Sequence, residues 1–158
     1  MRFYRTKAVA SFEMEDRTLF ISISPAMAGL EKGDKPRYDY EAKITVALQN
    51  EEILELAACL INPPPKTQNE AGKDLPIFEK NHTTEKSQKW IRLNWLDGNL
   101  YFSIDQIAPS HQRVGIPLSR QVAQGLGYII LERAQALLLP EPRKSFTITP
   151  VEEKEEEI

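Results

Sequence analysis

The chain has 158 residues, 41% hydrophobic and 27% charged, as in an ordinary globular protein with one core. No stretch approaches the roughly 20 apolar residues that span a bilayer, and Met1 runs into Arg2-Phe3-Tyr4-Arg5 without a secretory signal's apolar core; the expectation is a cytoplasmic protein, or one already processed. The net charge of −3 is concentrated at Val151 to Ile158, with five Glu and one Lys, and residues 1–150 carry 19 basic against 18 acidic side chains; so neutral a body argues against wrapping duplex DNA by charge alone and still permits single-strand binding, where base stacking shares the work with a local basic groove.

Residues 3–13 predict one strand, with Phe3, Arg5, Lys7, Val9 and Ser11 on one face and Tyr4, Thr6, Ala8, Ala10 and Phe12 on the other. Met14 to Arg17 is a polar turn. Thr18 to Ser24 alternates again, with Leu19, Ile21 and Ile23 on the apolar side. Pro25 to Pro36 is a loop with two Gly and two Pro. Tyr38 to Leu48 predicts a third strand, placing Tyr38, Tyr40, Ala42, Ile44, Val46 and Leu48 together and Lys43 on the opposite face. The period then changes. Asn50 is placed to cap a helix whose first turn carries Glu51 and Glu52, favourable at the positive end of the helix dipole. Asn62-Pro63-Pro64-Pro65 ends that helix, because proline cannot continue it.

Residues 63–87 read as a polar loop, with room for a short strand around Leu75 to Phe78. Lys89 to Trp95 alternates, with Trp90, Arg92 and Asn94 against Ile91, Leu93 and Trp95. Asp97-Gly98 is a hairpin turn signal, and Leu100 to Ile104 pairs back across it. A short Val114 to Pro117 segment follows. Ser119 caps a second helix that runs to about Leu139, with an apolar stripe of Val122, Leu126, Ile129, Ile130, Ala134, Leu137 and Leu138. Gly125 and Gly127 inside it suggest close packing. Residues 143–150 read as an extended linker, and 151–158 as a charged, disordered tail. The class is α+β, in the order strands, helix, strands, helix. The chain shows no repeat at solenoid periods.

Four stretches, in order, resemble the Whirly family of single-stranded-DNA-binding proteins. Tyr4-Arg5-Thr6-Lys7-Ala8-Val9-Ala10 resembles the family's first-strand motif, lysine-glycine-lysine-alanine-alanine-leucine after an aromatic. Tyr38-Asp39-Tyr40 with Lys43, leading into Asn50-Glu51-Glu52-Ile53, looks like its third strand and first helix. Trp90 to Ser103 is similar to its second-half hairpin. Ile116-Pro117-Leu118-Ser119 and the helix ending in Leu137-Leu138-Leu139 resemble its closing segment. Together these cover most of residues 3–139, and their order and spacing carry the likeness. Departures are Thr6 for the motif's glycine, Arg5 for its first lysine, and Pro140 where the family has a closing aromatic; the transit peptide of plant members is also missing. The resemblance implies two antiparallel four-stranded sheets with two helices packed behind them. It also implies a homotetramer assembled through the helices, and single-stranded DNA bound along the sheet surfaces in replication, repair or recombination.

The residue types such binding needs are basic groups for phosphates and aromatics for unstacked bases. Arg5 and Lys7, Trp90 and Arg92, and Tyr38 and Tyr40 with Lys43 are the candidates, with Lys7 at the motif's second lysine. Each has a bland reading beside it. Tyr38 and Tyr40 share a face with Ile44 and Val46 and could be core; Trp95 reads as core beside Ile91 and Leu93. The acidic tail is either a solubilising terminus or a segment that occupies the groove or recruits proteins. Nothing in the chain predicts an enzyme, a cofactor or a metal. His82 and His111 lie without ligand spacing, there is no phosphate-binding glycine loop, and Cys59 among Leu56, Ala57, Ala58 and Leu60 reads as a small buried apolar residue. Two alternatives stay open: an RNA binder of related fold, and a protein-assembly module that binds no nucleic acid.

Overall fold

The computed structural model describes residues 1–5, 7–29, 33, 35 and 37–138. The linker and acidic tail expected at 143–158, and the side chains of Leu137 and Leu138, lie outside that description. Among the described residues the chain folds as four strands and a helix, twice over. The first half is β1 (Arg2–Tyr4), β2 (Ala8–Glu15), β3 (Thr18–Pro25), β4 (Ile44–Gln49) and α1 (Glu51–Ile61). The second is β5 (Phe78–Thr83), β6 (Gln88–Leu96), β7 (Asn99–Ala108), β8 (Gln112–Leu118) and α2 (Arg120–Leu138). Each half makes one antiparallel sheet with its strands in sequence order. This is the α+β architecture of two four-stranded sheets and two helices.

The alternation works where apolar residues mark it. Leu19, Ile21 and Ile23 of β3, Ile44, Val46 and Leu48 of β4, and Ile91 and Leu93 of β6 are all buried. Leu100, Phe102 and Ile104 of β7 and Val114, Ile116 and Leu118 of β8 complete the inner faces. These residues form a single cluster with Ile53, Leu56, Ala57 and Leu60 of α1 and Ala123, Leu126, Ile130 and Ala134 of α2. β8 lies against β2 and β3, so the sheets meet directly, and the Phe12 and Phe102 rings touch across that seam with centroids 5.7 Å apart. The helices pack on each other. At their crossing, a side-chain carbon on Gly127 would stand 2.9 Å from the Ala57 carbonyl oxygen, so glycine sets the approach there. Gly125 has nothing within 4 Å and plays no part in that packing.

Four expectations need correction. The single strand over 3–13 is a hairpin: Arg2 pairs with Ser11, Phe3 with Ala10 and Tyr4 with Val9, and the Arg5 amide donates to the Ala8 carbonyl at 2.9 Å. Folding back joins odd positions of β1 to even positions of β2, so Phe3 faces inward with Ala10 and Phe12 while Tyr4 faces outward. No glycine or proline stands between β1 and β2 to mark the reversal. The third strand starts at Ile44, not Tyr38. Tyr38 makes only an isolated bridge to Ala26, and Tyr40–Ala42 form one turn of 3-10 helix. The Asp39 carboxylate drives this by accepting from the Glu41 and Ala42 amides, competing with the sheet ladder.

Asn50 stands at the start of α1 with φ 45° and no side-chain cap; Glu52 reaches back to the Gln49 amide instead. The Ser119 cap does form, its hydroxyl accepting from the Val122 amide at 3.2 Å. Finally, the loop expected over 63–87 contains a six-residue strand, β5. Its inner face carries Lys80 and His82 after Phe78, and these pair with Glu55 (2.7 Å) and Glu52 (2.8 Å) of α1. Charge partners on the helix replace apolar side chains there, which hides the strand from a hydrophobic period.

Candidate nucleic-acid interface

Every strand residue that does not face the core points to the other side of its sheet. On the first sheet that side is a groove. Ser11, Ser22 and Ser24 floor it, Ser22 and Thr45 sharing a 2.8 Å hydroxyl bond, and Arg2, Tyr40 and Lys43 wall it, with Glu13 an acid in the same wall. Tyr40 ends a row of three tyrosines that leads away from it. The rings of Tyr4 and Tyr38 lie 5.7 Å apart and those of Tyr38 and Tyr40 6.5 Å apart, all tilted. Tyr4 and Tyr40 are each 52% exposed, which a core role excludes. The Tyr38 hydroxyl donates to the Arg5 carbonyl at 2.7 Å and so ties the row to the β1–β2 turn. The neighbouring Tyr4 foremost, with Tyr40 and Glu13 behind it, shifts the Arg2 guanidinium upward from its ordinary pKa.

Lys43 shares this groove with Tyr40, although strict alternation puts them on opposite faces. The 3-10 turn at Tyr40–Ala42 breaks the period between them. Tyr38 and Tyr40 likewise leave the face of Ile44 and Val46 and turn outward.

Arg5 and Lys7 do not project from a strand. They flank the β1–β2 turn and line a cleft with Leu96, Tyr101, Gly115 and Pro117 of the second sheet. Arg5 is structural there: its guanidinium donates to the Pro117 carbonyl at 3.3 Å and to the Tyr4 carbonyl at 2.8 Å. Lys7 is exposed, and its ammonium makes no hydrogen bond or ion pair among the described residues.

Trp90 and Arg92 stand together on the outer face of β6, the guanidinium 5.0 Å from the ring centroid. The register places Asn81, Trp90, Asp105 and Arg113 in one row and Glu79, Arg92, Ser103 and Gly115 in the next. Arg92 is engaged by Glu79 at 2.6 Å and by Asp105 at 3.5 Å, and His111 stands 3.1 Å from Asp105. Its charge is therefore met within the protein. A second cleft opens beside it, with Lys73, Asn94 and Arg113 on its walls and Asp74 and Glu79 among them. The Asn94 Oδ1 is enclosed there without a hydrogen-bond partner.

The structure thus brings Arg5, Lys7, Tyr38, Tyr40 and Lys43 to one end of the first sheet and leaves Trp90 and Arg92 on the second. Trp95 is half-buried against the core, donating to the Pro64 carbonyl at 2.9 Å under the Arg120 guanidinium. Sequence pattern alone does not single out Arg2, Tyr4, Tyr101 or Arg113. Tyr101 had a signal in its alternation with Leu100 and Phe102. Tyr4 had none, because the hidden turn inverts its face. Among the described residues no group of three His, Cys, Asp or Glu side chains is placed to hold a metal ion, and no helix is long and apolar enough to cross a membrane. Compared with protein-family models and with curated proteins, the sequence finds no match to either.

Proposed function

We propose that the protein binds single-stranded nucleic acid, DNA foremost, along its two outward sheet faces, in the manner that the resemblance to the Whirly family implies. The observation that carries this reading is the row of Tyr4, Tyr38 and Tyr40. Two exposed rings and a half-buried one stand in contact, and the last of them, Tyr40, lines a groove together with Arg2 and Lys43. Each stacked base contributes about 1–3 kcal/mol, and exposed aromatics beside cations are the surface that a strand of splayed bases requires. Trp90 under Arg92 gives the second sheet a stacking surface of its own. The same reading takes the protein as a cytoplasmic homotetramer, assembled through its helices and serving replication, repair or recombination with little sequence preference.

The test is fluorescence anisotropy of a labelled oligo-dT with the full chain at low and moderate salt, with single-stranded RNA and duplex DNA as competitors. The expected result is salt-sensitive binding that duplex fails to compete. Competition by RNA as strong as by DNA would shift the reading to an RNA binder. One observation favours a protein-assembly role instead: Glu79 and Asp105 already occupy Arg92, so the second face offers phosphates less charge than its residue list suggests. Absence of oligonucleotide binding, even after removal of residues 151–158, would select that role.

A further inference from the structure

The seam where the β1–β2 turn meets the second sheet forms a cleft, and its chemistry differs from that of either open face. Its floor is apolar. Leu96, at the end of β6, is 47% exposed; Pro117 is exposed and Tyr101 half-buried. Tyr101 stands opposite Pro117 in the β7–β8 register, and its ring leans over the neighbouring Gly115. A side-chain carbon on Gly115 would lie 2.6 Å from three atoms of that ring, Cε1, Cζ and Oη. Glycine here is what lets the ring lie across the sheet instead of standing away from it. The phenol oxygen makes no hydrogen bond among the described residues, so the ring is held by packing. At the rim stands Lys7, the lysine beside the β1–β2 turn, with Arg5 bracing the backbone that carries it.

The geometry points to this cleft as a subsite for one nucleotide of a bound single strand. The base lies on the Tyr101 ring between Leu96 and Pro117, and the phosphate meets the Lys7 ammonium. This rests on the single-strand reading and adds to it a place and two residue roles. An apolar floor with one unengaged cation at its edge suits an unstacked base with an anionic backbone. It suits a purely anionic ligand poorly, since the floor offers few hydrogen-bond donors, and a purely apolar one poorly, since it would strand the ammonium. Position adds to the case. The cleft lies between the tyrosine row of the first sheet, to which Tyr38 ties the turn, and the Trp90–Arg92 face of the second. A strand crossing from one sheet to the other within a protomer passes over it.

The experiment uses the full chain and a labelled oligo-dT, read by anisotropy across a salt series. Tyr101→Ala is expected to weaken binding roughly 5- to 140-fold with its salt slope unchanged. Tyr101→Phe is expected to keep wild-type affinity, because the ring and not the hydroxyl carries the contact. Gly115→Ala, which drives the ring off the sheet, is expected to behave like Tyr101→Ala. Lys7→Gln is expected to lower the salt slope by about 0.7, the increment for one phosphate contact on a single strand. Wild-type affinity in Tyr101→Ala, or equal losses in Tyr101→Phe and Tyr101→Ala, would overturn the subsite while leaving single-strand binding standing. Should the variants not fold by circular dichroism, photocrosslinking of the wild-type chain to an oligonucleotide carrying 5-iodouracil decides. Adducts at Tyr101 support the subsite, and adducts confined to Trp90 or to the tyrosine row overturn it. If the wild-type chain binds no oligonucleotide, both this inference and the reading beneath it fail.

Discussion

Replacing Gly127 and Gly125 in turn by alanine separates helix propensity from helix packing within one segment. Both lie inside α2, and either change gains about 0.8–1.0 kcal/mol of intrinsic helix stability. They differ in what the new methyl meets. At Gly125 there is nothing within 4 Å. At Gly127 it would stand 2.7 Å from the Ile61 Cγ1, 2.9 Å from the Ala57 carbonyl oxygen and 3.0 Å from the Leu60 Cβ. The Ile61 side chain can rotate aside, but the Ala57 oxygen belongs to the backbone of α1. It would sit ~0.4–0.7 Å inside the usual carbon–oxygen separation, so the helices must part. Overpacking of this kind costs about 1–3 kcal/mol.

The propensity gain cancels between the two variants, which leaves Gly127→Ala less stable than Gly125→Ala by roughly 1–3 kcal/mol. In a domain of this size that separates the melting temperatures by roughly 2–12 °C. Urea unfolding followed at 222 nm gives the free energies directly, with m as the check that both native states stay compact. Gly125→Ala should exceed the wild type and Gly127→Ala should fall at or below it. Equal midpoints for the two variants would show that α1 and α2 do not approach through Gly127, and the argument for their packing would fall.

Phe102→Ala should cost about 3–5 kcal/mol, because the ring is fully buried and meets Phe12 across the seam between sheets; a loss under about 1 kcal/mol in urea would refute that the sheets share one core. Glu79→Gln removes the 2.6 Å partner of Arg92 and should tighten oligo-dT binding at low salt, with a steeper salt slope; unchanged binding would show that Arg92 meets no phosphate. Burial, and secondarily Glu55, push the Cys59 thiol above its ordinary range. The unfolded thiol ionises near pH 8.5, so above that pH the unfolded chain has lost a proton that the folded chain keeps, and stability falls as pH rises. The same shift predicts slow reaction of native Cys59 with a disulfide reagent at pH 8.5 and fast reaction in urea; equal rates would contradict it.

Sequence by itself determined the class of this fold and most of its core. Ile21, Leu48, Ile91, Phe102 and Ile116 bury because period-two alternation leaves an apolar face no other place to go, and α1 ends before Pro63 as the prolines require. Tertiary structure decided what alternation could not encode. The reversal between β1 and β2 carries no punctuating residue, yet it inverts Tyr4 and moves Arg5 and Lys7 from a strand to the seam. One carboxylate, Asp39, diverts Tyr38 and Tyr40 out of the sheet. β5 pairs with β6 and turns Lys80 and His82 toward Glu55 and Glu52 of α1, contacts that no local apolar period announces. Burial is a property of single residues and their neighbours in sequence, so a pattern can carry it. A binding face is assembled from residues far apart in the chain, and the cleft of Lys7, Tyr101 and Gly115 came into being only when the two sheets met.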